Sequence, residues 1–183
     1  METYSLQRGE EYETKVESMS REYNTLKIRR EEQHILHPDE QKRLEELSRL
    51  LGITQYLIDN EGNFHFSSIK TNTFGYTNPE TEKLRQILRT NIQEVPKLLC
   101  APEYRDAIIF YDVSGRILST LNVCLSCMYI ETKIFNHINT DYETYDLLKK
   151  WFINIGHEVE NPTYFITDDI NKLENKYSES KSG

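Results

Sequence analysis

Hydrophobic positions along this chain follow two periods. Between Tyr104 and Ile134, β-branched and aromatic residues dominate; elsewhere apolar residues recur every three or four positions. The run Ile108-Ile109-Phe110-Tyr111 suits a pleated, buried surface. Asp112-Val113-Ser114-Gly115 carries turn chemistry, with Gly115 free to take positive φ. Beyond the turn, Ile117, Leu121, Val123 and Leu125 share one face with Ser119, and Leu118, Thr120, Asn122 and Cys124 take the other. Two such runs joined by a short turn predict a β-hairpin over about 106–125. Further strands are expected near 53–68, interrupted by the turn signal Asp59-Asn60-Glu61-Gly62-Asn63, near 128–134, and at 163–167. Alternation places His65 on the solvent side, away from Phe64 and Phe66.

The helical period appears in four places. From about Glu10 to Ile35 the chain holds neither Gly nor Pro, and Tyr12, Val16, Met19, Tyr23 and Leu26 recur at heptad spacing. The seam spans barely two heptads, which predicts a helix packed along its own domain or a weak homodimer contact. Pro38 opens a second helix lined by Leu44, Leu47, Leu50 and Leu51. Asn78 and Pro79 open a third, buried through Leu84, Ile87, Leu88 and Ile92. Thr140 and Glu143 form a capping box for a fourth, whose Tyr145, Leu148, Phe152 and Ile155 share one face beside Trp151. Helices around a central hairpin give an α+β fold in which they cover an antiparallel sheet. Residues 1–36 read as a charged amphipathic arm with a loose start over 1–9, 37–167 as a single α+β domain, and 168–183 as a disordered tail. Residues 67–77 read as loop.

Charge narrows the choice of partners. Thirty acidic against 22 basic residues give a net charge of −8, without the basic footprint that phosphate binding needs, so nucleic acid is not expected as a partner. No apolar run reaches membrane-spanning length, and the N-terminal residues lack the pattern of a secretory leader, so a cytoplasmic protein without membrane contact is expected.

Chemistry is concentrated in Cys124-Leu125-Ser126-Cys127. Two thiols at this spacing can be buried structural residues, a redox pair or half of a zinc site, and Cys100 and His137 are the residues that could complete a Cys3His set. In a straight strand, residues three apart face opposite ways, and neither Gly nor Pro stands nearby to bend the chain. Phe110-Tyr111-Asp112 followed by Asn122-Val123-Cys124 and Cys127 resembles a segment, FYD then N-[VI]-C-x-x-C, of small uncharacterised bacterial proteins. That resemblance covers about a fifth of the chain and implies a structural unit, with no activity attached.

No nucleophile elbow, P-loop, dinucleotide fingerprint or HExxH pair occurs. The expectation is therefore a non-catalytic acidic module, of immunity or regulatory type, that masks a basic protein partner and needs no cofactor. The alternative is a thiol-redox or zinc protein working through Cys124, Cys127, Cys100 and His137. In either case Tyr12, Val16, Met19, Tyr23 and Leu26 are the residues assigned to protein contact.

Overall fold

The computed structural model describes residues 1–33, 35–52, 54–92, 95, 100–132 and 136–172. Five antiparallel strands, β1 (Glu2–Ser5), β2 (Ile69–Thr73), β3 (Asp106–Tyr111), β4 (Ile117–Cys124) and β5 (Tyr129–Glu131), lie in the order β2-β1-β3-β4-β5. Helices α1 (Glu10–Gln33), α2 (Pro38–Leu50), α3 (Pro79–Ile87) and α4 (Tyr142–Asn154), with a short α5 over 166–172, complete the α+β fold. No described helix is long and apolar enough to cross a membrane.

The central hairpin forms as expected, with Asp106 opposite Val123 and Ile108 opposite Leu121. Its turn is held by Asp112, whose Oδ1 accepts from the Ser114 backbone N–H at 2.8 Å and the Arg116 N–H at 3.0 Å. Gly115 takes φ +81°, a conformation open to glycine at little cost. Ile108 and Phe110 face one side and Ala107 and Ile109 the other, and both sides are covered, so this strand reads as a continuous apolar run. On the first side, Leu84 and Ile87 of α3 and Tyr145, Leu148, Trp151 and Phe152 of α4 close over Leu121, Val123 and Ile130. Trp151 also donates its indole N–H to the Glu80 carbonyl at 3.2 Å, tying α4 to α3. On the second side, Tyr4, Leu6, Leu57 and Ile58 cover Ala107 and Ile109.

Several expectations are corrected. Residues 1–9 are not loose: β1 runs between β2 and β3, with Glu2 opposite both Thr73 and Ile109. Four residues are too few to carry a period, and the pairing that orders them comes from more than sixty residues away. The segment 53–68 holds only one isolated bridge, Ile58 to Phe64, and the neighbouring strand is β2, inside the stretch read as loop; Ile53 lies outside the described residues. β2 was hidden because it is an edge strand whose Ile69, Lys70, Thr71 and Thr73 are exposed. The run at 163–167 is a turn leading into α5, not a strand, because the Asp146 carboxylate accepts from the Ile166 and Thr167 backbone N–H groups at 3.1 and 2.8 Å and starts a helix there. β5 falls within 128–134, whose last two residues lie outside the described ones, as do 173–183 of the expected tail. The cap of α4 is Asp141, accepting from Thr144 N at 2.9 Å, one residue after the expected Thr140.

Candidate functional site

The N-terminal seam is occupied from within the chain. Met19 and Leu26 are buried against Leu36, Leu44 and Leu47, with Val16 and Tyr23 at the edge of the same cluster. Tyr12 stacks on Phe66 at 5.8 Å between ring centroids and donates to Gln7 Oε1 at 3.2 Å. The five residues thus pair α1 with α2 and the loop before β2. His65 is buried, correcting its expected solvent position: its ring lies 4.6 Å from Phe66, and burial together with nearby Lys15 lowers its pKa to about 4.

Of the four expected metal or redox residues, Cys100 and Cys127 are joined in a disulfide with their Cα atoms 6.0 Å apart. Cys124 is a free, buried thiol packed in the same cluster, against Tyr104. The bend that the sequence lacked a residue for is supplied by the turn at 125–128, where Met128 takes φ +51°. His137 is exposed, its ring tilted against Tyr129 with centroids 4.4 Å apart. These four do not assemble as a zinc ligand set: two sulfurs are spent on each other, and no group of three His, Cys, Asp or Glu among the described residues could hold a metal ion.

Beside the cysteines, Tyr56 and Tyr104 both donate to Glu131 Oε2, at 2.5 and 2.7 Å. Burial and these bonds push both phenols well above their ordinary range. Asn122, fully buried in β4, accepts from the Leu57 N–H at 2.9 Å and donates to the Glu131 carbonyl at 3.2 Å.

A charged cleft of about 280 Å³ lies where β3 begins, between α4 and the chain at 159–166. Arg8 grips Asp106 through two bonds of 2.9 and 2.7 Å. On its far side Asp106 meets His157 Nδ1 at 2.7 Å, and His157 Nε2 meets Thr71 Oγ1 at 2.7 Å. A carboxylate, an imidazole and a hydroxyl in series have the order of a nucleophilic triad. Yet Thr71 Oγ1 also donates to the Thr3 carbonyl at 3.0 Å and lies 2.8 Å from Thr3 Oγ1, so the hydroxyl is committed to β1 and to His157. Arg105 is held by Glu160 and Glu103. Lys149 donates to the Asn161 and Tyr164 carbonyls at 2.8 Å each, and burial, only partly offset by Asp146, lowers its pKa. The charges of this cleft stitch the protein to itself.

The opposite end of the sheet is different. Phe74, Tyr76, Leu88, Phe110, Val113 and Leu118 line an open groove of about 580 Å³ between α3 and the β3–β4 turn. Tyr76 is 81% exposed, Leu118 67%, and Val113 fully so. Arg85 stands over the Tyr76 ring, its guanidinium carbon 4.9 Å from the centroid, and Arg89 lines the same wall. Sequence reasoning missed the groove, although Val113 at a turn and Leu118 on the face opposite Ile117 were its signal.

Comparison with family models, curated proteins and solved structures found no match for this chain. The resemblance of the FYD and CxxC segment therefore rests on its own residues alone.

Proposed function

We propose that the protein is a non-catalytic binding module, of immunity or regulatory type, that docks a partner polypeptide in the groove between α3 and the β3–β4 turn. The observation that carries this reading is the exposed apolar surface of Tyr76, Val113 and Leu118, gathered around one open groove. Exposed patches of this kind mark interaction surfaces. Openness favours a polypeptide over an enclosed small ligand, since a small molecule would leave Val113 and much of Tyr76 in water.

Local charge sets the partner's chemistry. The groove wall carries Arg89 and Arg85, the latter paired with Glu82, and the lining carboxylate Asp112 is paired with Arg116 at 2.8 Å. The fitting occupant is a segment with apolar side chains and at least one Asp or Glu. A basic partner, expected from net charge alone, finds no counterpart here. The proposal keeps the expectation of a cytoplasmic protein that engages neither nucleic acid nor membrane.

The test is selection of displayed random peptides on the folded protein, with Leu118→Glu as the control surface. Selected peptides should combine apolar with acidic residues. Burial of a leucine side chain stabilises by about 1.5–3 kcal/mol, so Leu118→Glu should weaken their binding by about tenfold or more. Peptides that favour Lys and Arg, or that bind Leu118→Glu and Val113→Glu unchanged, would overturn the reading.

A further inference from the structure

We propose that Cys100, Cys124 and Cys127 form a thiol–disulfide exchange site, in which the buried Cys124 displaces Cys100 from Cys127 and so exposes a reactive thiol. The argument starts from the disposition of the three sulfurs. Cys100 and Cys127 are bonded, and Cys124, the third, remains a thiol in the same packed cluster as Cys127. Cys124 ends β4, where it pairs with Tyr129 of β5, and the four residues between them fold back as a turn. This turn cancels the strand geometry that would otherwise send the side chains of Cys124 and Cys127 to opposite faces. Ser126 Oγ lies 3.4 Å from Cys124 Sγ, close enough for the hydroxyl to donate to a thiolate. Cys100 is exposed, whereas Cys124 and Cys127 are buried.

The step balances without an added oxidant. Cys124 gives up its thiol proton, and the thiolate attacks Cys127 Sγ. A Cys124–Cys127 bond forms as the Cys100–Cys127 bond breaks. The electron pair leaves on Cys100 Sγ, which takes up a proton. Exchange of this kind proceeds through attack by the thiolate, and departure is easier for the solvated sulfur than for a buried one. The outcome trades a buried thiol for an exposed one, suited to a low-molecular-weight disulfide such as oxidised glutathione. That reaction would leave a mixed disulfide on Cys100 and release one glutathione thiolate.

The test is native alkylation with a maleimide, without reductant, followed by tryptic digestion and mass spectrometry. Cleavage after Lys97, Arg105, Arg116 and Lys133 puts Cys100 in the peptide 98–105 and the other two cysteines in 117–133. Expected is a labelled 98–105 together with an unlabelled 117–133 that is lighter than the dithiol by two hydrogens, the mark of an internal disulfide. In Cys124→Ser, the two peptides should stay cross-linked and unlabelled. In Cys100→Ser, treatment with oxidised glutathione should close Cys124 to Cys127 directly. The proposal is overturned if the label sits on Cys124 while the cross-linked pair persists. It is equally overturned if Cys100 is labelled in Cys124→Ser, or if Cys100→Ser keeps two alkylatable thiols after oxidation.

Discussion

Acidification should loosen the protein through His65. Its Nδ1 accepts from the Ser67 backbone N–H at 3.3 Å, which leaves the proton on Nε2, and that nitrogen is buried without a partner among the described residues. A second proton would have to replace the accepting lone pair in an apolar cluster beside Phe66 and near Lys15. In the unfolded chain His65 titrates near 6.5, and in the folded protein near 4. Between those values the unfolded state binds the extra proton. The stability that depends on neutral His65 is therefore complete above about pH 6.5 and is lost as pH falls towards 4. At about 1.4 kcal/mol per pH unit, the gap amounts to about 3 kcal/mol, a large share of a small domain's stability. Urea unfolding midpoints from neutral pH down to the low end of that window, for the wild type and His65→Gln, would measure it. Depressed carboxylates such as Glu2 and Asp59 also lose their contribution on acidification, but they do so in both proteins and cancel in the difference. The variant should be weaker at neutral pH and show the flatter profile. Parallel profiles would refute the claim that burial holds His65 neutral.

Other substitutions test the packing and the polar stitches. Trp151→Ala, which removes a fully buried side chain between α3, α4 and the sheet, should cost about 3–5 kcal/mol in urea unfolding. Asn122→Leu keeps the branched shape of the side chain but orphans the buried Leu57 N–H, and should cost about 1–3 kcal/mol or more by the same assay. Asp106→Asn leaves Arg8 without its counter-charge and alters the contact to His157 Nδ1, and should cost about 3–5 kcal/mol. Leu26→Ala should lower stability by about 2–5 kcal/mol with no change in solution mass, since Leu26 is buried against α2; a changed mass at unchanged stability would assign the seam to a second copy instead.

The parts of the fold legible in the sequence were those where one short window carries the whole signal. Ile108 to Tyr111 and Ile117 to Cys124 reveal themselves because both sides of β3 and of β4 from Thr120 on are buried, which makes each run apolar or β-branched. Pro38, Pro79 and Gly156 mark helix ends through their own backbone limits. β1 and β2 carry no such window: Glu2, Thr3, Thr71 and Asn72 are polar residues made into strand by each other, across nearly seventy positions. The run Tyr164-Phe165-Ile166 misled because its conformation is set by Asp146, twenty residues earlier. For the site, the turn that bends the CxxC could not be foreseen, since the positive φ falls on Met128, a residue type that rarely adopts it.

Net charge, the basis for expecting a basic partner, counts acids that no partner can touch. Among the described residues Asp106, Asp141 and Asp146 are buried, and Lys149 is the one buried lysine. Glu2 and Glu131 are each held by two tyrosines at the seams of the sheet. Such carboxylates contribute to the distant field but cannot meet an arginine on another surface, and the distant field is screened within about 8 Å at physiological salt. Short-range recognition is then decided by what is both exposed and unspent. Among the described residues the apolar groove with the exposed Arg89 beside it is one such surface, which is why the proposed partner's chemistry is read from the groove and not from the sum of charges.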